Sequence, residues 1–153
     1  MKGNLFFDTN ILIYAHTDVD NAKQQKAGQL IQDTSSAIVS TQVIQEFINA
    51  CLVKFEMEVP VVQKLIGEIA RNFIVLTNTF QTIEYSLSIK DKYHFSFWDS
   101  MIIAAAIESD CNILYSEDLQ DGQIIEGILT VVNPFAKTWF TENIRPFLKA
   151  NVY

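Results

Sequence analysis

Histidine and cysteine are nearly missing from this chain: its 153 residues hold two of each, His16, His94, Cys51 and Cys111. The cysteines lie far apart, among apolar neighbours and without a paired spacing, which predicts buried free thiols and argues against a disulfide or a zinc site. With so few nitrogen and sulfur ligands, any metal bound here would be held by oxygen. Neither histidine has an evident serine partner and no Gly-x-Ser-x-Gly turn occurs, so serine–histidine chemistry finds little support. A Gly-x-x-x-x-Gly-Lys loop for nucleotide phosphates is also absent.

Basic charge is scarce as well. Eleven Lys and Arg against 18 Asp and Glu give a formal net charge of −7, which argues against a broad phosphate-binding surface. A nucleic-acid enzyme stays open, because a small carboxylate-rich metal site can bind the scissile phosphate through its cation. Long apolar runs are missing too: the best, Met101 to Ile107, lies between Asp99 and Glu108, well short of the ~18 residues of a membrane span. A single Lys2 before a short apolar run that Asp8 interrupts is not the pattern of a signal peptide. The expectation is a cytoplasmic protein without a membrane segment. What is present, 49% hydrophobic and 19% charged residues, suits one globular domain over residues 1–153 with one core.

Strand and helix signals alternate along the chain. Leu5 to Phe7 reads as a buried strand, followed by Asp8-Thr9-Asn10, which supplies cap side chains to a helix carrying Ile11 to Tyr14. A surface helix is expected over 21–32 and a second strand over Ala37 to Val39. Ser40-Thr41 then caps a helix to about Phe55, with Val43, Ile44, Phe47, Ile48, Cys51 and Leu52 as its apolar stripe. Gln42, Gln45 and Asn49 mark its wet face, with Glu46 on the border. Val59-Pro60 opens a further helix, and Phe73 to Leu76 gives a third strand. Asn78 or Thr79 caps a helix to about Tyr93, with Phe80, Ile83, Leu87 and Ile89 as expected core contacts. A helix from Ser96 to Ile107 is apolar on nearly every side, so it should be buried. Strands over Cys111 to Tyr115 and Ile128 to Val132 follow, and residues 139–148 read as an amphipathic C-terminal helix.

This alternation predicts an α/β fold with a parallel sheet covered on both faces, whose strand carboxyl ends share one edge. Asp8 stands at such an end, and so does the cluster Glu117, Asp118 and Asp121. Asp99 lies in the first turn of the apolar helix and Glu46 near the start of another, so both can reach that edge. Taken alone, Asp8 reads as a helix cap and Glu46 as a solvated border residue. Asp99 is harder to dismiss, because a carboxylate kept against an apolar face loses hydration unless it is paired or binds a metal. Several carboxylates brought together repel and raise one another's pKa, a penalty that a divalent cation removes. Mg²⁺ or Mn²⁺ takes oxygen ligands, keeps waters and can activate one of them, which suggests phosphodiester hydrolysis without a covalent intermediate.

Four segments in order, Phe7-Asp8-Thr9-Asn10-Ile11-Leu12, Ser40-Thr41-Gln42-Val43-Ile44-Gln45-Glu46-Phe47, Phe95-Ser96-Phe97-Trp98-Asp99-Ser100-Met101-Ile102 and Tyr115-Ser116-Glu117-Asp118-Leu119, resemble the PIN domain, specifically VapC-type toxins of bacterial toxin–antitoxin pairs. The resemblance spans essentially the whole chain. It implies a three-layer α/β/α sandwich around a mostly parallel sheet and a Mg²⁺- or Mn²⁺-dependent ribonuclease. By position, Asp8, Glu46, Asp99 and Asp118 would be the acidic quartet and metal ligands, with Thr9, Asn10 and Ser116 in support. It further implies an RNA substrate, a homodimer, and a small antitoxin whose basic or aromatic side chains block the acidic groove. Family members often show Thr-x-Asp followed by a Phe-containing segment at the fourth position. Here Ser116-Glu117-Asp118-Leu119-Gln120-Asp121 stands there, which favours Asp118 and keeps Glu117 and Asp121 as alternatives. In this setting Asp8 is expected to be the central ligand, with capping left to Thr9 and Asn10.

Two other readings compete. An inactive PIN-like binding scaffold would share every feature above. An aspartyl-nucleophile phosphatase would want a second Asp two residues after Asp8, where Asn10 stands.

Overall fold

The apolar runs that alternate with helical stripes pair into a six-stranded sheet, in a computed structural model that describes residues 3–136. β1 (Asn4–Phe7), β2 (Ala37–Ser40), β3 (Ile74–Leu76) and β4 (Cys111–Tyr115) are followed by β5 (Ile124–Ile125) and β6 (Leu129–Val132). Their order across the sheet is β3-β2-β1-β4-β6-β5, parallel except for the antiparallel β5–β6 pair. Between them run α1 (Thr9–His16), α2 (Asn21–Gln32), α3 (Thr41–Asn49), α4 (Val59–Asn72), α5 (Phe80–Tyr93) and α6 (Phe97–Glu108). The chain moves outward from β1 to β3, then returns to the other side of β1. Right-handed crossovers therefore put α1–α4 on one face and α5–α6 on the other, a three-layer α/β/α sandwich.

The central strands are buried on both faces, as a covered parallel sheet requires. Phe6, Phe7, Val39, Leu114 and Val131 are all fully buried. Each such side chain contributes about 1.5–3 kcal/mol on burial. Phe7 also meets Phe73 edge-on at 5.5 Å and Tyr115 at 5.1 Å, so the strand that carries Asp8 is held by the largest side chains of the core.

Several expectations change. The helix expected to reach Phe55 is α-helical only to Asn49 and continues as a π-helical turn over Ala50–Lys54. On α5 the inward face is Thr82, Ser86 and Ile89, while Phe80, Ile83 and Leu87 point out, with Phe80 74% exposed. The stripe at 80, 83 and 87 has true helical spacing, but spacing does not say which face meets the core. Small hydroxyl residues face the alanine-rich α6 instead, and their polar groups are met locally. Thr82 completes the capping box with Thr79 and donates to Glu108, while the Ser86 hydroxyl donates to the Ile83 carbonyl. The last parallel strand begins at Leu129 rather than Ile128, because Ile128 belongs to a tight hairpin with the unforeseen strand β5. Glu126 and Gly127 both adopt positive φ, 54° and 65°, as a type I′ turn demands. Both cysteines are buried free thiols. The C-terminal helix expected over 139–148 lies outside the described residues.

Candidate active site

The strand order reverses direction between β1 and β4, and a crevice at such a switch point is where open α/β sheets place their ligands. Asp8 sits on that point. Its backbone N–H donates to the Tyr115 carbonyl at 2.9 Å, extending the β1–β4 pairing by one step. Only 5% of the residue is exposed, and both carboxylate oxygens accept short bonds, Oδ1 from the Thr9 N–H at 2.7 Å and Oδ2 from the Ser116 hydroxyl at 2.7 Å. Burial nonetheless dominates and pushes the Asp8 carboxyl up to about 6, with the charges of Glu46 and Asp118 adding to the rise. Asp8 remains the N-cap of α1, so capping does not pass to Thr9 and Asn10. Their side chains instead reach across to other acids.

Thr9 donates its hydroxyl to Glu46 Oε2 at 2.6 Å, and Asn10 Nδ2 donates to Asp118 Oδ2 at 3.0 Å. The other Glu46 oxygen, Oε1, accepts from Gln42 Nε2 at 2.9 Å. Gln42 was expected on the wet face but is buried, because the same amide nitrogen donates to the Trp98 carbonyl at 3.1 Å and so ties α3 to the first turn of α6. Sequence reasoning missed it. The signal was its position four residues before Glu46, where side chains of a helix meet.

Asp99 stands in that first turn of α6, whose N-cap Ser96 accepts the Asp99 N–H at 3.1 Å. Its carboxyl is half-buried and raised above the ordinary range, first by burial and further by the charges of Asp118 and Glu46. Asp118 follows β4 in a turn pinned at both ends. The Asp118 N–H donates to Ser116 Oγ, and the Glu117 N–H to Asn10 Oδ1. Asp8 and Asp99 thus each feel the charges of Glu46 and Asp118, acids drawn from two strand ends and two helices.

The two alternatives of the fourth motif go elsewhere. Glu117 Oε1 pairs with Lys23 Nζ at 2.8 Å and accepts the Tyr14 hydroxyl at 3.2 Å. Lys23 also lies 4.6 Å from the Tyr14 ring centroid and 5.2 Å from that of Phe135. Asp121 Oδ1 accepts the Asn133 N–H at 2.8 Å, which ties the turn to the residue after β6. Lys23 carries no sequence signal for this role, since it stands on a surface helix far from Glu117 along the chain.

Four carboxylates with amide and hydroxyl neighbours form an all-oxygen donor set, whose chemistry fits a hard divalent cation. A carboxyl pushed up to about 6 by burial among other acids is a site where such a cation relieves both burial and repulsion. Among the described residues no three Asp, Glu, His or Cys side chains lie close enough together to grip one ion. No helix among these residues is long and apolar enough to cross a membrane.

Solved structures share this fold. A toxin–antitoxin complex from Klebsiella pneumoniae matches with a TM-score of 0.66 at 21% identity, over 86% of this chain and 98% of that one. VapC20 of Mycobacterium tuberculosis, a toxin that cleaves the sarcin–ricin loop, matches at 0.62 and 17% identity, over 75% and 90% of the respective chains. VapBC2 from Rickettsia felis, bound to a DNA fragment of its promoter, matches at 0.63 and 15%, over 84% and 97%. Among curated proteins no significant sequence match was found. Residues 5–120 match the PIN domain, a span that opens in β1, takes in all four acids and closes just beyond Asp118, so the chain belongs to the PIN domain family.

Proposed function

We propose that this protein is a divalent-metal-dependent endoribonuclease and the toxin of a toxin–antitoxin pair. The observation that carries the reading is that Glu46 and Asp118 face the buried Asp8 carboxyl at the β1–β4 switch point, while Asp99 at the start of α6 faces the same two acids. Those four acids would hold Mg²⁺ or Mn²⁺, which supplies an activated water and polarises a phosphoryl oxygen. The chain's own work is positioning. Ser116 and the Thr9 N–H fix both oxygens of Asp8, Thr9 and Gln42 fix both oxygens of Glu46, and Asn10 holds Asp118. Asp8, Glu46 and Asp118 are thereby oriented before substrate arrives, which removes reorganisation from the reaction step.

Support for a toxin comes from the PIN family match and from a fold shared with toxin–antitoxin complexes. A net charge of −7 suits an antitoxin that covers the acidic groove with basic or aromatic side chains. We assign the homodimer contact to the exposed apolar face of Phe80, Ile83 and Leu87. The reading places the protein in the cytoplasm, with RNA as substrate.

The test is cleavage of RNA by the purified protein with Mn²⁺. Asp99→Asn should lower the rate at least a hundredfold while leaving the fold intact by circular dichroism. Equal cleavage by Asp99→Asn and wild type would end the proposal. An inactive scaffold is the second reading, favoured by the loose spacing of the acids. Failure to bind Mn²⁺ at millimolar concentration would select it.

A further inference from the structure

Beside Glu46 the surface opens into a groove of about 370 Å³, lined by Gln42, Gln45, Glu46, Asn49 and Trp98. Trp98 is 63% exposed, with its ring braced edge-on against Phe97 at 5.0 Å. An indole left this open forgoes the largest apolar burial any side chain offers, while the neighbouring positions of α6 from Ser100 to Ala106 are buried. Gln45 and Asn49 stand four apart on α3, so their exposed amides share a face. Gln42 closes the groove from inside. It is 95% buried by its 5% exposure; Nε2 donates to Glu46 and the Trp98 carbonyl, whereas its buried Oε1 has no hydrogen-bond partner. That orphan is a buried acceptor without a donor, on a residue that lines the groove.

We propose that this groove is a nucleobase subsite, which takes one unpaired base of single-stranded RNA next to the scissile phosphate. The inference rests on the ribonuclease reading above and names how the substrate is held. One flat aromatic face together with amides that both donate and accept is the chemistry that reads an unstacked base: stacking on the ring and hydrogen bonds along the base edge. Glu46 lies in the groove wall and in the acid cluster, so an occupant of the groove sits one step from the reacting bond. The charge of the chain points the same way. At −7 the phosphate backbone is a poor handle, so stacking and edge contacts must supply a larger share of the affinity. A basic side chain of a protein partner could also meet Trp98 and Glu46, and the experiment separates the two.

The chain holds two tryptophans, Trp98 and Trp139, so Trp139→Phe leaves Trp98 as sole reporter. In that background, with Asp99→Asn to prevent cleavage and Mn²⁺ present, fluorescence is titrated with tetranucleotides of adenosine, cytidine, guanosine and uridine. We expect saturable quenching, with at least fivefold preference for one base, and loss of the preference in Gln45→Ala/Asn49→Ala. In otherwise wild-type protein, Trp98→Ala should raise KM for the preferred RNA roughly tenfold or more with a smaller change in kcat, and Trp98→Phe should restore most of the loss. The proposal is overturned if no tetranucleotide changes the fluorescence, or if Trp98→Ala cleaves with unaltered KM. It is overturned equally if only a Lys- and Arg-rich peptide quenches Trp98. These outcomes leave the ribonuclease reading standing when wild type still cleaves. A wild type that cleaves no RNA overturns that reading instead, and the quenching then decides the groove by itself.

Discussion

The tips of β1 and β4 lie side by side in the sheet, both carry acids, and they treat those acids in opposite ways. At the β1 tip Asp8 is buried, held by a hydroxyl and a backbone N–H, and surrounded by the fields of Glu46 and Asp118. At the β4 tip the three acids of residues 117–121 are divided. Glu117 has a lysine of its own, Asp121 caps a backbone N–H after β6, and Asp118 alone joins the shared field. An acid neutralised by the fold belongs to the architecture. Acids that face one another keep a charge imbalance that a cation from outside can cancel, and that difference separates candidate ligands from scaffold more sharply than position in a motif does.

The contrast breaks most severely at Asp8. Its carboxyl titrates near 6 in the folded protein against 3.8 ordinarily, so the folded state keeps its proton to higher pH than the unfolded state does. The stability this group contributes is therefore full below about pH 4 and falls as pH rises through about 6, by roughly 3 kcal/mol in total. Urea unfolding of metal-free protein between pH 4 and 7 should show wild type losing about that much relative to Asp8→Asn. Parallel pH profiles for the two proteins would mean that Asp8 carries no buried charge.

A control on the opposite layer sharpens the comparison at the other end of the scale. Leu87 lies on the outward face of α5 and is 56% exposed. Leu87→Asp should change stability by less than about 0.5 kcal/mol, the range of ordinary surface substitutions, and leave cleavage within twofold. Sedimentation should nonetheless show the proposed dimer replaced by monomer. An unchanged dimer would move the self-association surface elsewhere.

How far the sequence discloses this arrangement depends on the range of the contacts involved. Asp99 was legible because α6 is apolar on nearly every side, so a carboxylate there had to be explained. Asp8 was legible as a strand-end acid, and the parallel sheet followed from the alternation of short apolar runs with helical stripes. Gln42 was within reach through its helical spacing from Glu46, but polarity alone assigned it to solvent. Lys23 was not, because nothing local ties a surface lysine to an acid that only the sheet order brings near. The inversion of α5 was hidden for the same reason: an apolar stripe that faces outward has the same period as one that faces in. Two-residue β5 was too short for any alternation to reveal it.

The central claim is that pairing within the chain, rather than presence in the motif, decides which acid would meet the proposed cation. Calorimetric titration of Mn²⁺ into wild type, Glu117→Gln and Asp118→Asn tests it most directly. The account predicts that Glu117→Gln binds within about threefold of wild type and Asp118→Asn at least tenfold more weakly. Weakened binding in Glu117→Gln with full affinity in Asp118→Asn would contradict it.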